Sequence, residues 1–163
     1  MNYFELFDLP VTLSVDKSGL SQKYFSLQKQ FHPDFHTQSD AEEQADALEQ
    51  SSLVNKALRV LQQPDQTIKY VLQLKGLLEE EEKYNLPQDF LMEMLELNEK
   101  IMEVSPDEFR KEIEDLEKEL YAEVREIVET YDDTTSKAAD LLKVKEYYFK
   151  KKYLHRILDR LDD

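Results

Sequence analysis

The chain has 163 residues with 21 basic and 36 acidic side chains, a formal net charge of −15, and no cysteine. The surplus of acid disfavours nucleic acid and anionic membrane as partners, and the lack of cysteine excludes disulfides and thiolate metal sites. Since no apolar run approaches the ~20 residues of a membrane span and no signal peptide begins the chain, we expect a soluble cytoplasmic protein.

The composition predicts an all-α fold. The chain has only two glycines and no tryptophan, and strand signals such as Asn-Gly turns or sustained two-residue alternation are nearly absent. Helix-forming Leu, Glu, Lys, Gln and Ala dominate instead. All five prolines fall at apparent helix junctions, where the missing N–H costs least.

Four helices are predicted in the first half of the chain. The first covers Asn2–Leu9, the second starts near Ser18, the third starts near Ala41, and the fourth covers Asp65–Lys75. In the second and third helices, one set of residues recurs at spacings of three and four: Leu20, Tyr24, Leu27, Phe31, and then Ala47, Ser51, Val54, Leu58 and Leu61. Two such stripes can pack as an antiparallel hairpin.

The tripeptide His32-Pro33-Asp34 closes the second helix. Taken alone, these residues fit a helix C-cap, a helix stop and a turn. Their place between two apolar-periodic helices favours a functional loop instead.

His32 and His36 are four residues apart with Asp34 between them, which raises the alternative of a metal site. Helical zinc ligands at this spacing require a continuous helix, and Pro33 interrupts it. Nothing in the chain resembles a nucleophile elbow. We therefore expect no metal, no resident cofactor and no catalytic residue.

The charge is divided unevenly along the chain. Residues 1–76 carry seven basic and ten acidic residues, a net charge of −3, which leaves −12 for residues 77–163. Four consecutive glutamates follow Gly76 closely and suggest a solvated segment. We predict one domain over 1–76, an acidic connector over 77–87, and a three-helix bundle over 88–163.

The fifth helix, predicted from Pro87 to Val104, carries two apolar faces. A core stripe is expected at Phe90, Met94, Leu97, Ile101 and Val104. The opposite face combines three apolar residues with three carboxylates: Leu91, Met92, Leu95, Glu96, Glu99 and Glu103. An apolar patch with a polar rim marks a protein-binding site. The alternative is a bundle wide enough to bury Leu91 and Leu95 as flanks of the core.

Two further helices complete the predicted bundle. Ser105 and Glu108 read as a capping box around Pro106, where the sixth helix begins. The seventh helix is expected to start near Thr134 or Thr135, whose hydroxyl groups can cap it.

Several of these segments carry a family resemblance. YFELFDLP, YFSLQKQFHPD and NKALRVLQQPDQTIKYVL resemble a J-domain over roughly residues 1–75, and QDFLMEMLELNE resembles the C-terminal bundle of the HscB-type co-chaperones. The resemblance covers nearly the whole chain. HscB-type proteins hand the iron–sulfur scaffold protein IscU to a dedicated DnaK-class chaperone, HscA.

The resemblance implies a co-chaperone, not an enzyme, because ATP hydrolysis belongs to the chaperone. The implied chaperone-binding residues are His32, Pro33, Asp34, Lys23 and Lys29. In such a loop Asp34 pairs with an arginine of the chaperone, and Pro33 stiffens the loop so that less entropy is lost on docking.

The resemblance also implies a scaffold-binding surface. Its residues are Leu91, Met92, Leu95, Glu96, Glu99, Glu103 and Tyr153. Two alternatives remain open from the sequence: a general J-domain protein that delivers other clients to a DnaK-class chaperone, and a small metal-dependent hydrolase that uses His32, Asp34 and His36.

Overall fold

The computed structural model describes residues 1–162, and in them it has seven α-helices, two 3-10 turns and no strand. The helices are α1 Tyr3–Leu6, α2 Lys17–Phe31, α3 Ala41–Leu61, α4 Pro64–Leu74, α5 Gln88–Glu99, α6 Pro106–Thr130 and α7 Ala138–Asp162. The 3-10 turns cover Pro33–Phe35 and Lys100–Met102. The predicted all-α fold is confirmed.

The chain forms two compact units. Met1–Val71 and Tyr131–Thr135 make the first, and Leu72–Thr130 with the residues from Ser136 onward make the second.

Short polar side chains decide where the helices of the first unit begin. Asn2 accepts a hydrogen bond from the Glu5 N–H at 2.8 Å, and Asp40 accepts one from the Glu43 N–H at 2.8 Å. Asp16 accepts from two first-turn amides of α2 in the same way. Each such cap contributes about 1 kcal/mol to helix stability.

Helices α2 and α3 form the predicted antiparallel hairpin. Tyr24 donates its hydroxyl proton to Asn55 Oδ1 at 2.9 Å, and Ser51 donates to Gln28 Oε1 at 3.0 Å. The pairing runs in opposite directions along the two helices. The unit also buries a set of apolar side chains: Phe4, Phe7, Leu13, Leu20, Val54, Ala57, Leu61, Ile68 and Val71.

The turn from α3 to α4 is closed by Thr67, which is buried. Its hydroxyl lies 3.0 to 3.3 Å from the carbonyl oxygens of Val60, Leu61 and Gln63. Because carbonyls at a helix C-terminus lack intrahelical partners, this side chain completes the end of α3.

In the second unit, α6 and α7 pack antiparallel. Arg110 pairs with Asp162 near one end, and the rings of Tyr121 and Tyr147 are 5.9 Å apart further along. The buried core of this unit includes Leu72, Leu78, Phe90, Met94, Phe109, Ile113, Val124, Val144, Leu154 and Ile157.

The segment predicted as an acidic connector, 77–87, contacts α7. Tyr84 stacks on Phe149 with ring centroids 4.6 Å apart, and Glu82 pairs with Lys145 at 2.7 Å. Hydrogen bonding to Lys145 lowers the pKa of Glu82. The segment is therefore anchored to the bundle by one aromatic pair and one ion pair.

Three predicted helix boundaries are wrong. Helix α1 ends at Leu6, not Leu9, because Asp8 adopts a left-handed φ of 53°. Helix α5 ends at Glu99, not Val104, because a 3-10 turn, Lys100–Met102, follows Glu99. Helix α7 begins at Ala138, because Thr134 donates from both its N–H and its hydroxyl to Asp132 Oδ1 and so forms a turn.

Candidate functional site

The His32-Pro33-Asp34 loop begins where α2 ends at Phe31. His32 is extended, with φ −62° and ψ 133°, which is the conformation that a following proline imposes. Its N–H still donates to the Gln28 carbonyl at 2.7 Å, so His32 caps the helix. Pro33 then opens a 3-10 turn that ends at Phe35. Local backbone chemistry thus places the tripeptide at a sharp corner.

The His32 ring contacts the loop backbone, whereas the Asp34 carboxylate faces solvent. His32 Nδ1 accepts the Asp34 N–H at 3.2 Å. The Asp34 carboxylate lies 3.6 Å from the same Nδ1, and 86% of its side chain is exposed. The loop therefore offers a carboxylate to a cationic partner.

Two side chains outside the tripeptide hold the loop. His36 Nε2 donates to the Gln30 carbonyl at 2.7 Å. The Gln44 amide donates to the carbonyls of Thr37 and Ser39 at 3.1 and 3.0 Å. From its spacing alone, His36 was a candidate only for a metal site, and the sequence predicted no role for Gln44. The sequence feature that could have indicated this role is the polar side chain of Gln44 on the first turn of α3, next to the loop.

The metal alternative finds no support in this geometry. Among residues 1–162, no three His, Cys, Asp or Glu side chains are grouped so that they could hold a metal ion.

The two lysines predicted to contact the chaperone are placed differently. Lys29 is exposed on the last turn of α2. Lys23 is half-buried, and its Nζ donates to the Asp8 carbonyl at 2.6 Å. In this structure Lys23 ties the α1–α2 loop to α2.

Within Gln88–Glu99, the two faces of α5 are those predicted from its spacing. Ile101 and Val104, predicted on the core stripe, lie beyond the helix and are half-buried. Phe90, Met94 and Leu97 are buried. Leu91, Met92 and Leu95 are 40%, 58% and 54% exposed. The alternative in which the bundle buries Leu91 and Leu95 is therefore wrong. We call the three exposed residues the α5 patch.

Two of the three predicted rim carboxylates remain beside this patch. Glu96 and Glu99 are exposed on α5 itself. Glu103 lies beyond the end of α5, after the 3-10 turn. Its predicted position on the helix face is wrong, because that position assumed a continuous helix.

Acidic side chains extend from the patch into a groove of about 370 Å³ between α5 and α6. Its carboxylates are Glu93, Glu96, Glu112, Asp115 and Glu119. Met94, Leu97 and Leu116 line it as apolar residues, and Lys100 is the basic residue in its lining. The rim of the α5 patch is thus negative on the side of α6.

Tyr153 on α7 reaches α5 through Phe90. The two rings meet edge to face with centroids 6.0 Å apart, and Lys150 Nζ lies 5.4 Å from the Phe90 ring centre. Tyr153 is half-buried. It therefore supports the helix that carries the α5 patch.

A helical hairpin that ends in a His-Pro-Asp corner, in a chain that continues into a helical bundle, is the architecture of a J-domain co-chaperone. Within residues 1–162, no helix is both long and apolar enough to cross a membrane.

Comparison with known proteins specifies the family. The family model described as the HSCB C-terminal oligomerisation domain matches residues 86–162. The co-chaperone protein HscB homolog of Haemophilus ducreyi is 34% identical over 92% of this chain and 90% of that protein. The human iron-sulfur cluster co-chaperone protein HscB is 31% identical over 98% of this chain and 67% of that protein. The chain belongs to the HscB family of co-chaperones.

Solved structures agree with this assignment. Chaperone HscB from Vibrio cholerae matches with a TM-score of 0.71 and 25% identity, over 99% of this chain and 96% of that chain. Human co-chaperone protein HscB matches with a TM-score of 0.80 and 29% identity, over 99% and 81%. The predicted fold, a J-domain joined to a C-terminal helical bundle, is that of these relatives.

Proposed function

We propose that this protein binds an IscU-like iron–sulfur scaffold protein and delivers it to a DnaK-class, HscA-like chaperone in the cytoplasm. It stimulates ATP hydrolysis by that chaperone during iron–sulfur cluster assembly or transfer and is not itself an enzyme. The name of the human relative, an iron-sulfur cluster co-chaperone, supports this cargo.

The chaperone side of the proposal rests on the His32–Asp34 corner. The exposed Asp34 carboxylate pairs with an arginine of the chaperone, a charge-assisted contact of high geometric specificity. Pro33 and the His36 hydrogen bond keep the corner ordered, so little entropy is lost on docking. Lys29 adds a positive charge on the same stretch of chain.

The scaffold side of the proposal rests on the α5 patch. Its apolar side chains supply the buried centre of an interface, and Glu96 and Glu99 supply a charged rim. We propose that Tyr153 and Glu103 contribute at the edge of this interface. The acidic groove beside Glu96 favours a scaffold with basic residues next to its apolar contact.

The domain limits of the proposal are 1–76 for the J-domain, 77–87 for the acidic connector and 88–163 for the scaffold-binding bundle.

A chain that binds both partners raises the concentration of the scaffold at the chaperone by holding the two together. The observation that carries the proposal is that one chain presents both the His-Pro-Asp corner and an exposed apolar patch on a separate unit.

The test is the steady-state ATPase rate of the cognate chaperone with this protein, with and without the scaffold. We expect synergy that requires both proteins. His32→Gln should abolish stimulation and leave scaffold binding intact, and Met92→Ala with Leu95→Ala should do the reverse. A folded variant that loses both activities would contradict the two-site proposal. An ATPase rate that is stimulated equally with and without the scaffold would favour a general J-domain protein with another client.

A further inference from the structure

Two phenylalanines in the first unit are largely exposed to solvent. Phe25 on α2 is 67% exposed and Phe35 in the loop is 66% exposed. A single exposed aromatic residue needs no explanation, but two that flank the same functional corner form a candidate contact surface.

From helical spacing, Phe25 falls on the side of α2 that leads to His32. It precedes His32 by seven residues, which is two helical turns and about 10 Å along the axis. Its ring meets the Tyr24 ring edge to face at 5.8 Å. Tyr24 is in turn fixed by its hydrogen bond to Asn55. Phe25 is therefore both exposed and partly ordered before any partner arrives.

Phe35 lies on the other side of His32 along the chain. The two rings meet edge to face with centroids 6.3 Å apart. Phe35 belongs to the 3-10 turn that Pro33 opens, so its backbone is fixed by the same corner. An exposed aromatic ring thus continues directly from the His32 ring.

Cations are scarce on this surface. The basic residues of α2 are Lys17, Lys23 and Lys29. Lys17 stands at the far end of the helix, and Lys23 donates to the Asp8 carbonyl. Lys29, four residues after Phe25, is the lysine left near the corner with its side chain exposed. Aromatic area, not positive charge, dominates the stretch from Phe25 to Phe35.

Resting on the proposed function, we propose that Phe25 and Phe35 form an aromatic strip that docks on the same DnaK-class chaperone as His32–Asp34. The strip is continuous with that corner through the His32–Phe35 ring contact. The chaperone surface opposite α2 then carries an apolar recess for Phe25. The contribution of this strip to docking depends on buried aromatic area, so that contribution varies little with ionic strength, because salt screens charges but not apolar contacts.

The experiment measures the concentration of this protein that gives half-maximal stimulation of the purified cognate chaperone's ATPase. Phe25→Ala should raise that concentration by about tenfold, the cost of truncating one aromatic anchor. Phe35→Ala should act in the same direction. Leu142→Ala, which truncates an exposed residue of the second unit, is the matched control and should change nothing.

A change of charge at residue 25 distinguishes an apolar recess on the chaperone from an acidic patch. Against an apolar recess, Phe25→Lys should be at least as harmful as Phe25→Ala. Against an acidic patch, Phe25→Lys should instead improve stimulation, and that result would overturn the inference. The ratio of the half-maximal concentrations for Phe25→Ala and the unchanged protein should vary less than about threefold between about 50 and about 300 mM salt.

Failure of the inference is separable from failure of the proposed function. If His32→Gln abolishes stimulation while Phe25→Ala and Phe35→Ala leave it unchanged, the aromatic strip has no part in docking. If the strip instead joins two copies of this chain, Phe25→Ala will shift the sedimentation coefficient of the protein alone without changing its stimulation. If His32→Gln leaves stimulation intact, the proposed chaperone site itself is wrong.

Discussion

Phe90 and Tyr153 meet edge to face with ring centroids 6.0 Å apart, which joins the helix of the α5 patch to α7. Tyr153 was predicted as a scaffold contact, and the structure gives it a second task in supporting α5. The two tasks separate by substitution. Tyr153→Phe keeps the ring pair and removes the hydroxyl, whereas Tyr153→Ala removes both.

If the Tyr153 hydroxyl contacts the scaffold, Tyr153→Phe will weaken scaffold binding with little change in melting temperature. Tyr153→Ala should lower the free energy of unfolding as well, by about 2 to 3 kcal/mol, because a half-buried ring is lost. Isothermal titration with the scaffold and urea denaturation measure the two effects. Scaffold affinity that is equal for Tyr153→Phe and the unchanged protein would leave Tyr153 with a supporting role alone.

Met92 and Met94 provide a matched pair on α5, since one is 58% exposed and the other is fully buried. Met92→Ala should weaken scaffold binding by about tenfold and leave stability unchanged, as expected for a residue at the centre of an interface. Met94→Ala should cost about 2 to 5 kcal/mol of unfolding free energy, because it leaves a cavity. The checks are titration calorimetry and thermal melting. Unaltered binding by Met92→Ala would remove the α5 patch from the interface.

The hydrogen bond from His36 to the Gln30 carbonyl is expected to order the His-Pro-Asp corner. His36→Ala should therefore reduce stimulation of the chaperone about three- to tenfold without touching the tripeptide, because a looser loop loses more entropy on docking. The measurement is the protein concentration that gives half-maximal stimulation of the chaperone's ATPase. Thr37→Ala, whose side chain has no such bond to the end of α2, serves as the control. An equal loss for both variants would contradict the ordering role of His36.

Asn55 accepts hydrogen bonds from Tyr24 and from Gln28 at 2.9 and 3.0 Å, in the seam between α2 and α3. Asn55→Leu leaves both donors without this acceptor, and we expect a loss of about 1 to 3 kcal/mol in unfolding free energy. Ser52→Ala, an exposed position on the same helix, should be near neutral. Urea denaturation of the two variants compares them directly. A neutral Asn55→Leu would mean that the apolar stripe alone holds the hairpin.

The Glu82–Lys145 pair predicts a pH dependence. The hydrogen bond from Lys145 lowers the pKa of Glu82 below its ordinary value of 4.5. A carboxyl group with a lowered pKa in the folded state stabilises the fold above its unfolded pKa, and this stabilisation is lost as the pH falls through the folded pKa.

We therefore expect Glu82→Gln to lower the unfolding free energy by about 1 kcal/mol near neutral pH. The difference from the unchanged protein should vanish as the solution becomes acidic. Thermal melting across a pH series measures both, with Glu80→Gln as the exposed control in the same acidic run. A difference that persists in acid would show that packing, not the ion pair, is responsible.

The sequence predicted the first helical hairpin and the two faces of α5 because both depend on residue spacing. A stripe at three- and four-residue intervals has only one way to lie on a helix, so the buried and exposed sides follow from the order of residues. Met92 and Met94 fall on opposite faces for that reason. Proline and the residues that cap helices likewise placed most junctions within a few positions.

The ends of α1, α5 and α7 were missed because each is set by a local bond or backbone conformation that periodicity does not report. Asp8 turns left-handed, and Asp132 captures both donors of Thr134. The end of α5 matters most for function, since it removes Glu103 from the helix face on which its role was predicted.

By itself, then, the sequence determined the all-α class, the His-Pro-Asp corner and the apolar face of α5, since these depend on neighbours along the chain. Only the tertiary structure decided that Lys23 is bound to the Asp8 carbonyl, that Gln44 and His36 hold the corner, and that Tyr153 supports Phe90. Those contacts join a side chain to a backbone carbonyl or to a ring that lies in another helix or at the other end of a loop. Their partners are chosen by packing, which no local pattern of residues encodes.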